Sequence, residues 1–67
     1  MPDIKALKDK IADSGMTMIA ISKKSGINRA TIYNRLNGRG EWTASEMVNM
    51  SEALGLTQEE KLNIFLQ

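Results

Sequence analysis

The stretch TMIAISKKSGINRATIYNRLNG, residues 17–38, holds two short helical patterns separated by a single glycine. Thr17 and Asn28 carry side-chain oxygens able to accept from the unpaired amides that begin a helix. Gly26 and Gly38 stand where each helix would stop, because the residue just past a helix end often turns left-handed at little cost to glycine. Helices over about 17–25 and 28–37 follow, joined by Gly26 and Ile27 alone. So short a connection forces the two to cross at a large angle and to pack as one unit.

The same punctuation continues on both sides. Gly15 and Gly55 mark two further stops, while Thr43-Ala-Ser-Glu46 and Thr57-Gln-Glu-Glu60 read as capping boxes, each Glu placed to reach back to the cap residue's amide. Pro2 fixes φ and Asp3 sets a carboxylate near the positive dipole end, so a first helix starts there. Five helices result, over about 3–14, 17–25, 28–37, 43–54 and 57–66. Ile4, Leu7 and Ile11, like Met47, Met50 and Leu54, recur at three and four residues and line helical faces. No strict alternation of strands appears, although Ile27 to Ile32 is ambiguous, and Asn37-Gly38 sits between helical patterns rather than between β-branched runs. The expected fold is all-α, a compact five-helix domain over residues 1–67, with its helix-turn-helix formed by the second and third helices. The five methionines are read as filler of a small irregular core in preference to a recognition groove.

Sixty-seven residues leave no room for a second core or an enclosed substrate pocket, which argues against most enzymes. Without cysteine or histidine there are no disulfides, no thiolate or imidazole metal sites and no His- or Cys-based nucleophilic mechanism. No enzyme activity, cofactor, metal or small-molecule ligand is expected. No apolar run approaches a membrane span, and MPDIKALKDK lacks the apolar centre of a signal peptide, so a cytoplasmic location is expected.

Charge is unevenly placed although the net is only +1. Residues 1–40 hold eight bases against three acids, and residues 41–67 hold Lys61 against Glu41, Glu46, Glu52, Glu59 and Glu60. Between Ser14 and Gly40 lie Lys23, Lys24, Arg29, Arg35 and Arg39 with no acid. Such a surface suits a polyanion, the bland reading being a solvated positive face.

Residues 17–38 resemble the helix-turn-helix of the lambda-repressor-like family, which includes phage repressors, Cro proteins and Xre-type regulators. The matching features are the Thr17 cap, the inward Ile21, Ser22 four before Gly26, Gly26 itself, Ile32 in the recognition helix and the closing Asn37-Gly38. Beyond them, NRLNGRGEWTASEMVNMSEALGLTQEE is similar to small regulators of phages and prophages of Gram-positive bacteria. The sequence departs from the family's usual pattern at Met18, where a Gln is common, and at Ser25 and Arg35, where apolar residues are common. Leu36, four after Ile32, can replace the missing anchor and leave Arg35 turned outward.

A helix of this width fits a major groove about 12 Å wide. With Ile32 and Leu36 inward, the opposite face is expected to present Arg29, Ala30, Tyr33 and Asn34, with Asn28 at the helix tip, and these five are the base-reading candidates. Arg29 can fork onto guanine N7 and O6, Asn34 can pair with adenine N6 and N7, and Ala30 can touch a thymine methyl. Tyr33 can reach DNA or instead cover Ile19. Thr17, Lys23, Lys24, Arg35, Asn37 and Arg39 are the phosphate-binding candidates, which position rather than specify.

The resemblance implies a transcriptional regulator of double-stranded DNA, a repressor or Cro-like protein, that pairs on a pseudo-palindromic operator. Ile64, Phe65 and Leu66 are candidates for pairing two subunits, the alternative being that Leu62 and Phe65 close the core. Trp42 is expected to anchor its loop against the third or fourth helix rather than to stack on a base. The rival function is a helix-turn-helix that binds protein, as an antirepressor or adaptor, and does not read DNA.

Overall fold

The computed structural model describes residues 1–66, and among them the chain forms five helices and no strand. These are α1 (Ile4–Ser14), α2 (Met18–Ser25), α3 (Arg29–Leu36), α4 (Ala44–Leu54) and α5 (Gln58–Phe65). Every start is held by the side chain that the sequence places there. Asp3, Thr17, Asn28, Thr43 and Thr57 each accept from an amide of the first turn, and the last two complete capping boxes with Glu46 and Glu60. The helices begin one residue later than expected because the capping residue itself keeps a non-helical backbone.

Leu7, Ile21, Ile32 and Met50 are fully buried, one each from α1, α2, α3 and α4, so four helices meet at one point. Ile27, Leu36, Ile64 and Phe65 close the cluster, with Met16, Met18, Met47 and other partly buried side chains packed around it. Four of the five methionines therefore serve the core or its margin, and Met1 is exposed. α2 packs chiefly on α4, whereas α3 rests mainly on α2 and keeps its opposite side open.

At the carboxyl end the structure corrects one expectation. Ile64 and Phe65 are buried rather than available to a second subunit. The Asp3 amide donates to the Ile64 carbonyl at 2.7 Å, drawing α5 against the start of α1. Phe65 meets Trp42 edge-on, with ring centroids 5.3 Å apart. Positions 62 and 66, four apart, share the outer side instead, so Leu62 and Leu66 are exposed. Leu62 accordingly does not close the core either.

An ion pair between Lys10 and Glu60 also ties α1 to α5. The hydrogen bond from Lys10, and next that from the Thr57 amide, hold the Glu60 carboxyl below its ordinary value of 4.5. The same hydrogen bond to Glu60 raises the Lys10 ammonium above 10.5. A lowered carboxylate stabilises fully above its unfolded value and loses that contribution as pH falls through the folded one. A raised ammonium stabilises fully below its unfolded value and loses it as pH rises through the folded one. The pair therefore stabilises between those limits, modestly, because both groups are part-exposed. Glu60→Gln keeps a capping side chain but removes the charge, so wild-type protein should exceed the variant in stability by more at about pH 6 than at a pH well below 4.5. Urea unfolding at both values checks this, and a margin that stays constant would contradict it.

Candidate nucleic-acid interface

The interface is built on the turn that joins α2 to α3. Gly26 takes φ 72°, and its amide donates to the Ser22 carbonyl at 2.8 Å. Ile27 then enters the core, which leaves its own peptide groups to be satisfied beneath the surface. Two serines do this. Ser22 Oγ donates to the Ile27 carbonyl at 2.5 Å, and Ser25 Oγ accepts from the Ile27 amide at 3.2 Å. Ser25 Oγ also donates to the Ser22 carbonyl at 3.3 Å. This accounts for a buried serine where the resemblance leads one to expect an apolar residue: its hydroxyl replaces packing with backbone hydrogen bonds.

α3 begins at Asn28, whose Oδ1 accepts from the Ala30 amide at 2.7 Å. Ile32 and Leu36 face inward, and Asn28, Arg29, Ala30, Tyr33 and Asn34 are all exposed. All five base-reading candidates are therefore open, Ala30, Tyr33 and Asn34 along the side of α3 away from Ile32 and Leu36, and Asn28 and Arg29 at its amino-terminal tip. Tyr33 is half exposed, and Ile19 stays equally open, so the tyrosine does not bury it.

Basic side chains flank both ends of that face. Lys23 and Lys24 lie in the last turn of α2, separated from the start of α3 by the three-residue connection Gly26-Ile27-Asn28, and are exposed. Arg39 is exposed just past the end of α3, with its amide donating to the Asn34 carbonyl at 2.8 Å. Exposed Thr17 uses its hydroxyl oxygen to accept from the Ala20 amide at 3.1 Å, which leaves its O–H proton to donate. Exposed Asn37 has its amide turned back on the Tyr33 and Asn34 carbonyls, so only its side chain faces outward.

Arg35 corrects the expectation that it turns outward. Its Nε donates to Glu46 Oε1 at 3.3 Å and its Nη1 donates to the Arg39 carbonyl at 3.1 Å, with only a fifth of the side chain exposed. An acid from the carboxyl-terminal half thus reaches into the otherwise acid-free stretch. The pairing escapes a sequence reading because its partner lies eleven residues away on another helix.

Trp42 packs against the core, as a loop anchor should, and its ring also meets Phe65 of α5, a contact the sequence does not suggest. It lines a cavity with Ile4, Met47 and Phe65, and among the described residues its buried indole N–H has no hydrogen-bond partner. Met18 packs against the core rather than presenting a polar group. Among the described residues no cluster of acidic side chains could hold a metal ion, and no helix is long and apolar enough to cross a membrane.

A family model described as Helix-turn-helix matches residues 7–61. No curated protein and no solved structure matches the chain.

At Gly26 a Cβ would meet no atom within 4 Å, so the only obstacle to a side chain is the left-handed backbone. Gly26→Ala should therefore destabilise by about 1–2 kcal/mol, and Gly26→Asn by less, since Asn tolerates that conformation better. Denaturant unfolding of the two variants checks the order, and equal losses would contradict it.

Proposed function

Because the chain belongs to the helix-turn-helix family of the Cro and lambda-repressor type, a family of DNA-binding regulators, we propose that it is a sequence-specific repressor or Cro-like protein of a phage or prophage. It acts by laying α3 in the major groove of an operator and excluding polymerase from the promoter. The observation that carries this reading is the open face of α3, polar and topped by Arg29, between Lys23 and Lys24 at one end and Arg39 at the other.

Roles divide by chemistry. Arg29 offers a planar fork for guanine and Asn34 an amide for adenine, each worth about 1–3 kcal/mol of discrimination. Asn28, Ala30 and Tyr33 complete the reading face. Lys23, Lys24 and Arg39 neutralise phosphates, while Thr17 and Asn37 donate to them. With Arg35 already paired, three cations per subunit give a log-log salt slope of roughly −2.7 for each half-site.

A single module of this size binds modestly, so two copies on half-sites about 34 Å apart supply the affinity that one lacks. Of the carboxyl-terminal candidates only Leu66 is exposed, and with Leu62 it gives α5 an outer apolar edge for such pairing. Met18 favours the rival reading of a protein-binding module, since it offers no donor at the start of α2. A gel shift against upstream DNA at two salt concentrations separates them.

Arg29→Ala should relax base preference at one operator position, whereas Lys23→Ala should weaken binding to all sequences alike and make the salt slope shallower by about 0.9. Binding-site selection with each variant reads this out. Equal loss of specificity in both would contradict the division of roles.

A further inference from the structure

Arg35 sits in the last turn of α3, and its guanidinium is engaged on two sides. On one side Glu46 Oε1, the same oxygen that accepts from the Thr43 amide at 3.0 Å, also accepts from Arg35 Nε. Glu46 is itself fixed, since its own amide donates to Thr43 Oγ1 at 3.1 Å. The capped start of α4 is thereby joined to the end of α3. On the other side Nη1 reaches the Arg39 carbonyl, and the Arg39 amide returns to the Asn34 carbonyl. Asn34, Arg35 and Arg39 thus belong to one hydrogen-bonded frame. At Gly40, where φ is 73°, a Cβ would run into the Arg35 guanidinium, so the loop passes directly over the group it encloses.

We propose that Arg35 and Glu46 are positioning residues: they form a clamp that fixes the carboxyl end of α3, and with it Asn34 and Arg39, at the angle needed to read DNA, and neither touches DNA itself. The inference rests on the DNA-binding reading above and assigns it a further pair of residues. α3 rests mainly on α2, with Leu36 holding its far end to the core, and the clamp adds a polar tie there that joins the same end to α4. Swinging Arg35 out to a phosphate would leave Glu46 without its cationic partner, facing a polyanion, and would strip the Arg39 carbonyl of its donor. The frame also needs a guanidinium. It takes one donor toward Glu46 and another toward the Arg39 carbonyl in a fixed plane, which the single ammonium of lysine cannot reproduce.

Arg35→Lys and Glu46→Gln separate a clamp from a phosphate contact, because the two roles predict opposite results. A phosphate-binding Arg35 would be replaced adequately by lysine, and Glu46→Gln would tighten binding by removing an acid and releasing the arginine. A clamp requires both variants to weaken binding to a duplex selected by the wild-type chain from random sequence, by roughly fivefold or more, the worth of one good base contact. The salt slope should become shallower by no more than the single contact of Arg39, about 0.9, the double variant should bind no worse than the weaker single one, and the Arg39 amide resonance should move in both. Gln retains the capping box, and should Glu46→Gln nonetheless unfold, Arg35→Lys leaves that box untouched and decides the matter alone. Tighter binding by Glu46→Gln, or unaltered binding by Arg35→Lys, overturns the clamp while leaving DNA recognition standing. A wild-type chain that selects no duplex overturns the DNA reading itself.

Discussion

The buried peptide of Ile27 is the constraint on which the rest depends. Sending that side chain into the core fixes α3 against α2 in a connection of three residues, but it also places an amide and a carbonyl where water cannot satisfy them. Ser22 and Ser25 each supply one hydroxyl, and Gly26 supplies the left-handed step that brings the chain round. An unsatisfied buried group costs about 1–3 kcal/mol, a large share of the stability of a small domain. The sequence Ser22-Lys-Lys-Ser25-Gly26-Ile27 is thus a local solution to a backbone problem, and the orientation of the recognition face follows from it.

Features governed by neighbours in sequence were legible without coordinates. Asp3, Thr17, Asn28, Thr43 and Thr57 cap helices because a cap acts within three residues, and the exposure of Ala30, Tyr33 and Asn34 follows from the inward placement of Ile32 and Leu36. Features governed by distant partners were not. Arg35 had no acid in its own stretch, and its orientation depends on Glu46 reaching back across the loop. α5 is apolar on more than one side, so its rotation is set by the Asp3 amide and by Trp42, which place Ile64 and Phe65 inside and leave Leu62 and Leu66 outside.

The two halves of the chain differ in charge, and the fold uses that difference at two places. Glu60 meets Lys10 and Glu46 meets Arg35, so acids of the second half fasten bases of the first. Among the described residues, the bases of the acid-free stretch with no ion pair are Lys23, Lys24, Arg29 and Arg39, on α3 and the segments that flank it. Field and shape then converge on one surface, which is the condition for steering a polyanion toward the groups that read it.

Titration of the isotopically labelled chain with duplex DNA, followed amide by amide, tests the central claim most directly. The account predicts that residues 28–34 and the flanking Lys23, Lys24 and Arg39 shift as duplex is added, while the amides of α5 on a single half-site stay where they are. Shifts concentrated on α5 or along the acidic side of α4, with residues 28–34 unmoved, would contradict it.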